Sequence, residues 1–288
     1  MFNGFKKKEK KTKIYFNVAA KRSWIEENFH GISKIKHPIL RRQSFITDEG
    51  IDFGDGVIYS MELTRRIAAN LNINMRQVIV GFSGNLSSAA VVQRNGTDYF
   101  IEIDNFFMED KRQIAACLSH EISHVFLKDN NLEIYNGIDN ERYTDLMTIY
   151  LGMGIFLLNG LTPCTKSEVV GNEERISKKN IKPYLTNDEL GYALALYAQI
   201  KSIKNEEIMK LLFGEGRDCF RDGVVSYMHR KGQLLKDKDF ESAVVLCPFC
   251  FQRLRIKLDK GCQDVVCGNC RGIAQYNTDC YVELENQR

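Results

Sequence analysis

The chain has 288 residues, a formal net charge of +3, 44% hydrophobic and 27% charged residues. That length supports one medium domain or two small ones; the composition is that of a soluble globular protein, and so weak a charge argues for no particular partner. No apolar run reaches membrane length, the basic start MFNGFKKKEKKTKIYF lacks the apolar core of a signal peptide, and six of the nine cysteines fall after residue 246. The expectation is a cytoplasmic protein with no membrane partner, whose cysteines bind metal rather than form disulfides.

Residues 1–13 read as a charged, disordered tail. Residues 14–55 are poorly defined. KRSWIEENFHGI is a short helix candidate anchored by the only tryptophan, Trp24, and His30 and His37 have no metal spacing. SMELTRRIAANLNI predicts an amphipathic helix with Leu63, Ile67 and Leu71 on one face and Ser60 as N-cap. RQVIVGFS and AAVVQR predict two strands joined by a turn at Gly84-Asn85, and NGT turns into a third strand, DYFIEID, over 98–104.

EDKRQIAACLSHEISHVFLKD predicts a helix. Ile114, Cys117, Leu118, Ile122, Val125 and Phe126 recur at helical spacing, and Glu109 and Asp110 suit its first turn. Residues four apart share a helix face, so His120 and His124 can offer two imidazoles to one ion. Glu121 is rotated by about 100° from His120 and can face a water without being a ligand. Two zinc ligands and a general base on one turn is the logic of HExxH. A catalytic zinc needs a third protein ligand. NERYTDLMTIYLGMGIFLLNG predicts a second, largely buried helix, bringing Glu141 seventeen residues after His124 and Asp145 one turn later. Glu141 can be the third ligand, with Asp145 orienting a ligand histidine through its second ring nitrogen; Asp145 as the ligand in place of Glu141 is the alternative.

TPCTKSEVVGNEERISKKNIKPY reads as a loop or lid over the cleft. TNDELGYALALYAQIKSI predicts a packing helix capped at Thr186 or Asn187 with Glu189. Tyr184 and Tyr192 are oxyanion candidates, with core packing the simpler role for Tyr192. NEEIMKLLFG and GRDCFRDGVVSYMHRK read as helices, with His229 at a helix end and not a ligand. GQLLKDKDFES reads as a linker. Beyond it, Cys247 with Cys250 and Cys267 with Cys270 form two CxxC pairs sixteen residues apart. That spacing fits a closed structural Zn2+ site. QRLRIKL and QDVVC are its likeliest strands. Cys262 lies outside the spacing, and Cys117 is a core residue. Arg253, Arg255 and Lys257 share a strand face that could touch nucleic acid phosphates or simply be solvated.

HEISH followed by NERYTD resembles the gluzincin metallopeptidases, the thermolysin-like group. The match covers about thirty residues. The short interval between the motifs is similar to compact intracellular zincins of the ImmA/IrrE and SprT types. The resemblance implies His120, His124 and Glu141 as zinc ligands, Glu121 as general base and Asp145 as the acid behind a ligand. It also implies an edge strand beside the active-site helix, assigned to 98–104, to which substrate pairs in extended form. The expected fold is α+β: a poorly defined region over 1–55, a zincin-like metallopeptidase domain with a small mixed sheet over 56–235, and a small β zinc ribbon over 243–288. The expected activity is hydrolysis of an intracellular protein or peptide, with one catalytic and one structural Zn2+. Two other readings stand beside it. One is a non-catalytic zinc-binding module for sensing or recruitment. The other is a DNA-associated SprT-like protease whose ribbon docks nucleic acid.

Overall fold

In a computed structural model the described residues are 22–42, 44–73, 77–84, 86–96, 98–170, 173–230, 242–247, 250, 252–257 and 262–277. The tail and all but the last residue of the linker expected over 232–242 lie outside them. The architecture is α+β. Residues 22–34 form helix α1. α2 (Gly56–Leu71) follows, then strands β1 (Gln77–Ser83), β2 (Ala90–Asn95) and β3 (Asp98–Asp104), and α3 (Lys111–Asp129). α4 (Ile138–Thr148) and α5 (Gly154–Asn159) precede a hairpin, β4 (Cys164–Val170) with β5 (Glu173–Lys179). α6 (Asn187–Ile200), α7 (Asn205–Leu211) and α8 (Gly214–Arg230) complete the helical part.

The helix α3 carries the HEISH residues through the centre. α2, α4, α5 and β2 pack around it, and its side chains from Gln113 to Ser119 and from Glu121 to Leu127 are buried. Each large apolar side chain removed from water there contributes about 1.5–3 kcal/mol before entropy is charged against it. The apolar periodicity therefore becomes an all-round core contact. Its start differs from expectation: Asp110 is the N-cap, accepting from the Arg112 N–H at 3.0 Å, and no acid occupies the first turn. α2 also begins earlier than expected. Asp55 caps it by accepting from the Val57 and Ile58 N–H groups, while Ser60 sits buried inside with its hydroxyl on the Val57 carbonyl.

The described residues before 56 pack into the same core. Ile25, Phe29 and Ile32 of α1 join Leu40, Ile46 and the helices α3 to α6 in one apolar cluster. Trp24 is partly buried against it, under the Arg142 guanidinium at 4.4 Å. The single helix expected over 140–160 is broken: Gly152 adopts φ +87° between α4 and α5. A Cβ there would stand 2.6 Å from the Ser44 carbonyl, and the Gly152 carbonyl accepts from the Ile46 N–H at 3.0 Å. The break lets residues 44–46 lie against the helix backbone. α6 and α8 cross just as closely: a Cβ on Gly191 would overlap the Cys219 carbonyl of α8, and one on Gly223 would overlap the Gly191 backbone of α6.

The sheet order is β1-β3-β2, with β1 parallel and β2 antiparallel to β3. Two expectations are corrected here. β1 and β2 are not hairpin partners, and residues 98–104 are the central strand rather than an edge. The edge beside α3 is β2. The loop expected over 162–184 is likewise a regular antiparallel hairpin from Cys164 to Lys179, tied at its base by the Lys179–Asp104 ion pair.

The C-terminal part is two small hairpins, β6 (Ser242–Leu246) with β7 (Arg253–Lys257) and β8 (Cys262–Val266) with β9 (Ile273–Asn277). β7 and β8 match the two strands expected; β6 and β9 are their added partners. No described helix is long and apolar enough to cross a membrane.

Candidate metal centres

α3 positions the two histidines. One turn apart, their rings meet edge to face with centroids 4.8 Å apart, and their Nε2 atoms lie 3.1 Å from each other. α4 runs alongside and presents Glu141, Thr144 and Asp145, spaced three and four apart and so on one face. Glu141 Oε2 stands 3.1 Å from His120 Nε2 and 3.0 Å from His124 Nε2. Asp145 Oδ1 stands 2.8 Å from His120 Nδ1, on the far side of the ring. The geometry thus separates the two carboxylates that the spacing left open. Glu141 converges with both Nε2 atoms, and Asp145 stands behind His120. His120, His124 and Glu141 form a group able to hold a metal ion.

Proton bookkeeping sharpens this. Asp145 is fully buried, and its Oδ2 accepts from the Tyr184 and Leu185 N–H groups at 2.6 and 3.0 Å. A carboxylate so engaged can only accept from His120, so His120 carries its hydrogen on Nδ1. Thr144 stands 3.3 Å from His124 Nδ1. With hydrogen on both Nδ1 atoms, both Nε2 lone pairs face Glu141 and three acceptor atoms meet. Only a cation or a shared proton relieves that. Without metal the proton settles on His120. Burial opposes its charge, but its hydrogen bonds to the Asp145 and Glu141 carboxylates overcome this and raise its pKa to about 10. The same two imidazoles hold the Glu141 carboxyl well below the usual carboxylate range. Two neutral imidazoles and one carboxylate form a donor set that suits zinc.

Glu121 is buried on the same helix. Burial raises its pKa; the histidines pull it down, the Glu141 charge adds to the rise, and the N–H of Val92 on β2 hydrogen-bonds the carboxylate. Tyr184 stacks over His120, with centroids 5.9 Å apart and planes 23° apart, and is 45% exposed. Its phenol keeps its proton, because burial and the charges of Glu141, Asp145 and Glu121 all raise its pKa. Tyr192, in contrast, is wholly buried and bonded to Glu26, a packing role. Cys117 is buried with its thiol on the Ala89 carbonyl, and His37 accepts from the Ile39 N–H; neither joins the group. The His229 side chain lies outside the described residues. Thr144 and the Val92 N–H escaped sequence reasoning, since nothing in local spacing marks them.

The second group is Cys247, Cys250, Cys267 and Cys270. Each CxxC sits in a turn between paired strands, and the two turns close alike. The Cys247 N–H donates to the Gln252 carbonyl at 2.8 Å and the Cys267 N–H to the Gly272 carbonyl at 2.9 Å. The Cys247–Cys270 and Cys250–Cys267 sulfur pairs are each 3.6 Å apart. Tetrahedral zinc thiolates would set them about 3.8 Å apart, from a Zn–S bond of about 2.3 Å. Burial works against ionising Cys250, yet the Gln252 N–H, the Asn269 amide and the neighbouring thiols bring it down to about 7. The thiols therefore fit a metal. Cys262 lies in β8 and outside this group. On β7, Ile256 is buried while Arg255 and Lys257 are exposed. The backbone of Arg253 shares their strand, and its side chain lies outside the described residues.

Compared with known proteins, the chain matches no family model, no curated protein and no solved structure.

Proposed function

We propose that the protein is a zinc-dependent peptidase of gluzincin type, with a zincin-like domain and a C-terminal zinc ribbon. One observation carries this reading: the convergence of His120 Nε2, His124 Nε2 and Glu141 Oε2 at 3.0–3.1 Å from one another, with the buried Glu121 on the same helix as the histidines. Zinc bound there supplies Lewis acidity, polarising a carbonyl and lowering the pKa of a water to about 7. Glu121 takes the proton of the attacking water and returns it to the leaving amine as the C–N bond breaks. Its raised pKa helps the second half of that task, because a less acidic carboxyl holds the proton until the amine needs it. The protonated, half-exposed Tyr184 phenol supplies a donor for the developing oxyanion. The edge strand β2, whose Val92 N–H reaches Glu121, offers backbone groups to an extended peptide substrate.

The four thiolates of the ribbon hold a structural zinc. The exposed Arg255 and Lys257 favour a second role for it, contact with nucleic acid phosphates. Cleavage stimulated by DNA and weakened by salt would support that DNA-associated reading; indifference to both would remove it.

The deciding experiment counts zinc and follows cleavage. The parent carries about two zinc ions per chain and the variant His120→Ala with His124→Ala about one. Glu121→Gln keeps both and loses cleavage by at least about a hundredfold. Parental cleavage by Glu121→Gln would refute the mechanism. One zinc in the parent, unchanged in the double variant, would favour a non-catalytic module.

A further inference from the structure

Behind each histidine stands one acceptor, and the two acceptors differ in chemistry. We infer that Thr144 is a positioning residue for His124, holding the hydrogen on Nδ1 so that Nε2 faces the metal. This rests on the zinc site proposed above and adds a residue to it.

A threonine hydroxyl has one hydrogen to give. That of Thr144 is 2.9 Å from the Asn140 carbonyl, which can only accept. The hydrogen goes there, one turn back along α4, as buried helical threonines commonly do. The Thr144 oxygen then has only lone pairs to offer His124 Nδ1 at 3.3 Å. His124 must donate, so its hydrogen is on Nδ1. The same logic operates at His120, where the acceptor is the Asp145 carboxylate. Adjacent residues of α4 thus set the two ring tautomers, one through a neutral hydroxyl and one through a charge.

The oxygen of Thr144 is well placed to do this because its helix is fixed to α3. Thr148, one turn on, lies 2.8 Å from Ser123 Oγ of α3 and 2.8 Å from the Thr144 carbonyl. Ser123 in turn donates to the Ser119 carbonyl at 2.7 Å. All four hydroxyl residues are buried. The β-branch also limits Thr144 to few rotamers, so its oxygen does not swing away.

A purely structural role, the bond to Asn140 alone, predicts different behaviour, and three full-length variants separate the two. Thr144→Val keeps the shape and removes the oxygen. Thr144→Ser keeps the oxygen. His120→Ala with His124→Ala removes the site. Zinc affinity is read by competition with a chromophoric chelator, and a parental, cooperative thermal unfolding transition of the helical part reports that each variant is folded. The His124 tautomer of the metal-free protein is read from two-bond proton–nitrogen spectra of its ring. We expect Thr144→Val to bind zinc about 10–100-fold more weakly at the helical site and to lose the preference for hydrogen on Nδ1, with Thr144→Ser restoring most of both. Parental affinity and an unchanged tautomer in Thr144→Val, with zinc lost in the double variant, would overturn the positioning role and leave the zinc site standing. Zinc unchanged in the double variant would overturn the site and the role of Thr144 together.

Discussion

Replacing Asp145 by Asn tests whether the buried carboxylate serves the metal or only the fold. Asp145 accepts on both oxygens: one from His120 Nδ1, the other from the backbone of Tyr184 and Leu185. An amide has one accepting oxygen and one donating NH2. If the oxygen faces His120, the NH2 meets two backbone donors, and two buried N–H groups go unsatisfied at about 1–3 kcal/mol each. If the oxygen faces the backbone, the NH2 meets His120 Nδ1. The ring then moves its hydrogen to Nε2, in the middle of the ligand group. The second orientation costs the fold less, and it blocks the metal. Asp145→Asn is therefore expected to lose less stability than Asp145→Ala while zinc affinity at the helical site falls by at least about 10–100-fold. Asp145→Ala removes every acceptor and is expected to lose stability as well, by about 3–5 kcal/mol. Chelator competition reads the first effect, and thermal unfolding in EDTA reads the second. Parental zinc affinity in Asp145→Asn would show that His120 does not need the carboxylate to present Nε2, and the proton bookkeeping would be wrong.

Four further outcomes follow. At pH 7 zinc must displace the proton that metal-free His120 holds with a pKa of about 10, so binding at this site releases about one proton. Calorimetry in buffers of different ionisation enthalpy, comparing parent with the double histidine variant, would detect it, and equal release from both would contradict the assignment. In the metal-free protein the stabilisation from His120 is fully present below about pH 6.5 and is lost as pH rises toward 10. That from Glu141, whose carboxyl is held low, is present above its ordinary 4.5 and is lost as pH falls below it. Unfolding midpoints of the EDTA-treated parent should thus gain their largest margin over Glu141→Gln between those limits, and a margin that grows above pH 10 would run against the sign. Cys267→Ser is expected to remove one zinc and leave the helical site loaded; loss of both ions would show that the two sites are not independent. Gly152→Ala forces a Cβ into φ +87° and against the Ser44 carbonyl, and should cost about 2–4 kcal/mol in chemical denaturation. A variant as stable as the parent would mean that the break between α4 and α5 is free to close.

Much of the candidate site was legible because its parts are local. A 3.6-residue period puts His120 and His124 on one side of any helix, whatever surrounds it. The CxxC pairs need only two turns to bring four thiols within reach of one ion. The helices α2, α3 and α6 were legible from apolar spacing, and the capping box at Thr186 and Glu189 appears as the sequence suggested. The exact starts of α2 and α3 were not; in α2, Asp55 outcompetes Ser60 once Gly56 is helical, and propensity does not rank neighbouring caps. The break at Gly152 was hidden for a similar reason: glycine inside an apolar helix is a weak signal until a passing chain, here residues 44–46, uses the space.

What the sequence determined by itself, then, is the chemistry on each element: two imidazoles and a carboxylate on one turn, a carboxylate or two on the next helix, and four thiols in two knuckles. Only the tertiary structure decided how those elements meet. It chose Glu141 over Asp145 by the way α4 lies along α3, and put Thr144 behind His124. It also made β2, not the 98–104 strand, the edge beside Glu121, because strand neighbours depend on long connections that alternation along one strand cannot encode. Local periodicity fixes which way a side chain leaves its own helix or strand. The direction from which its partner arrives is set by packing the whole core.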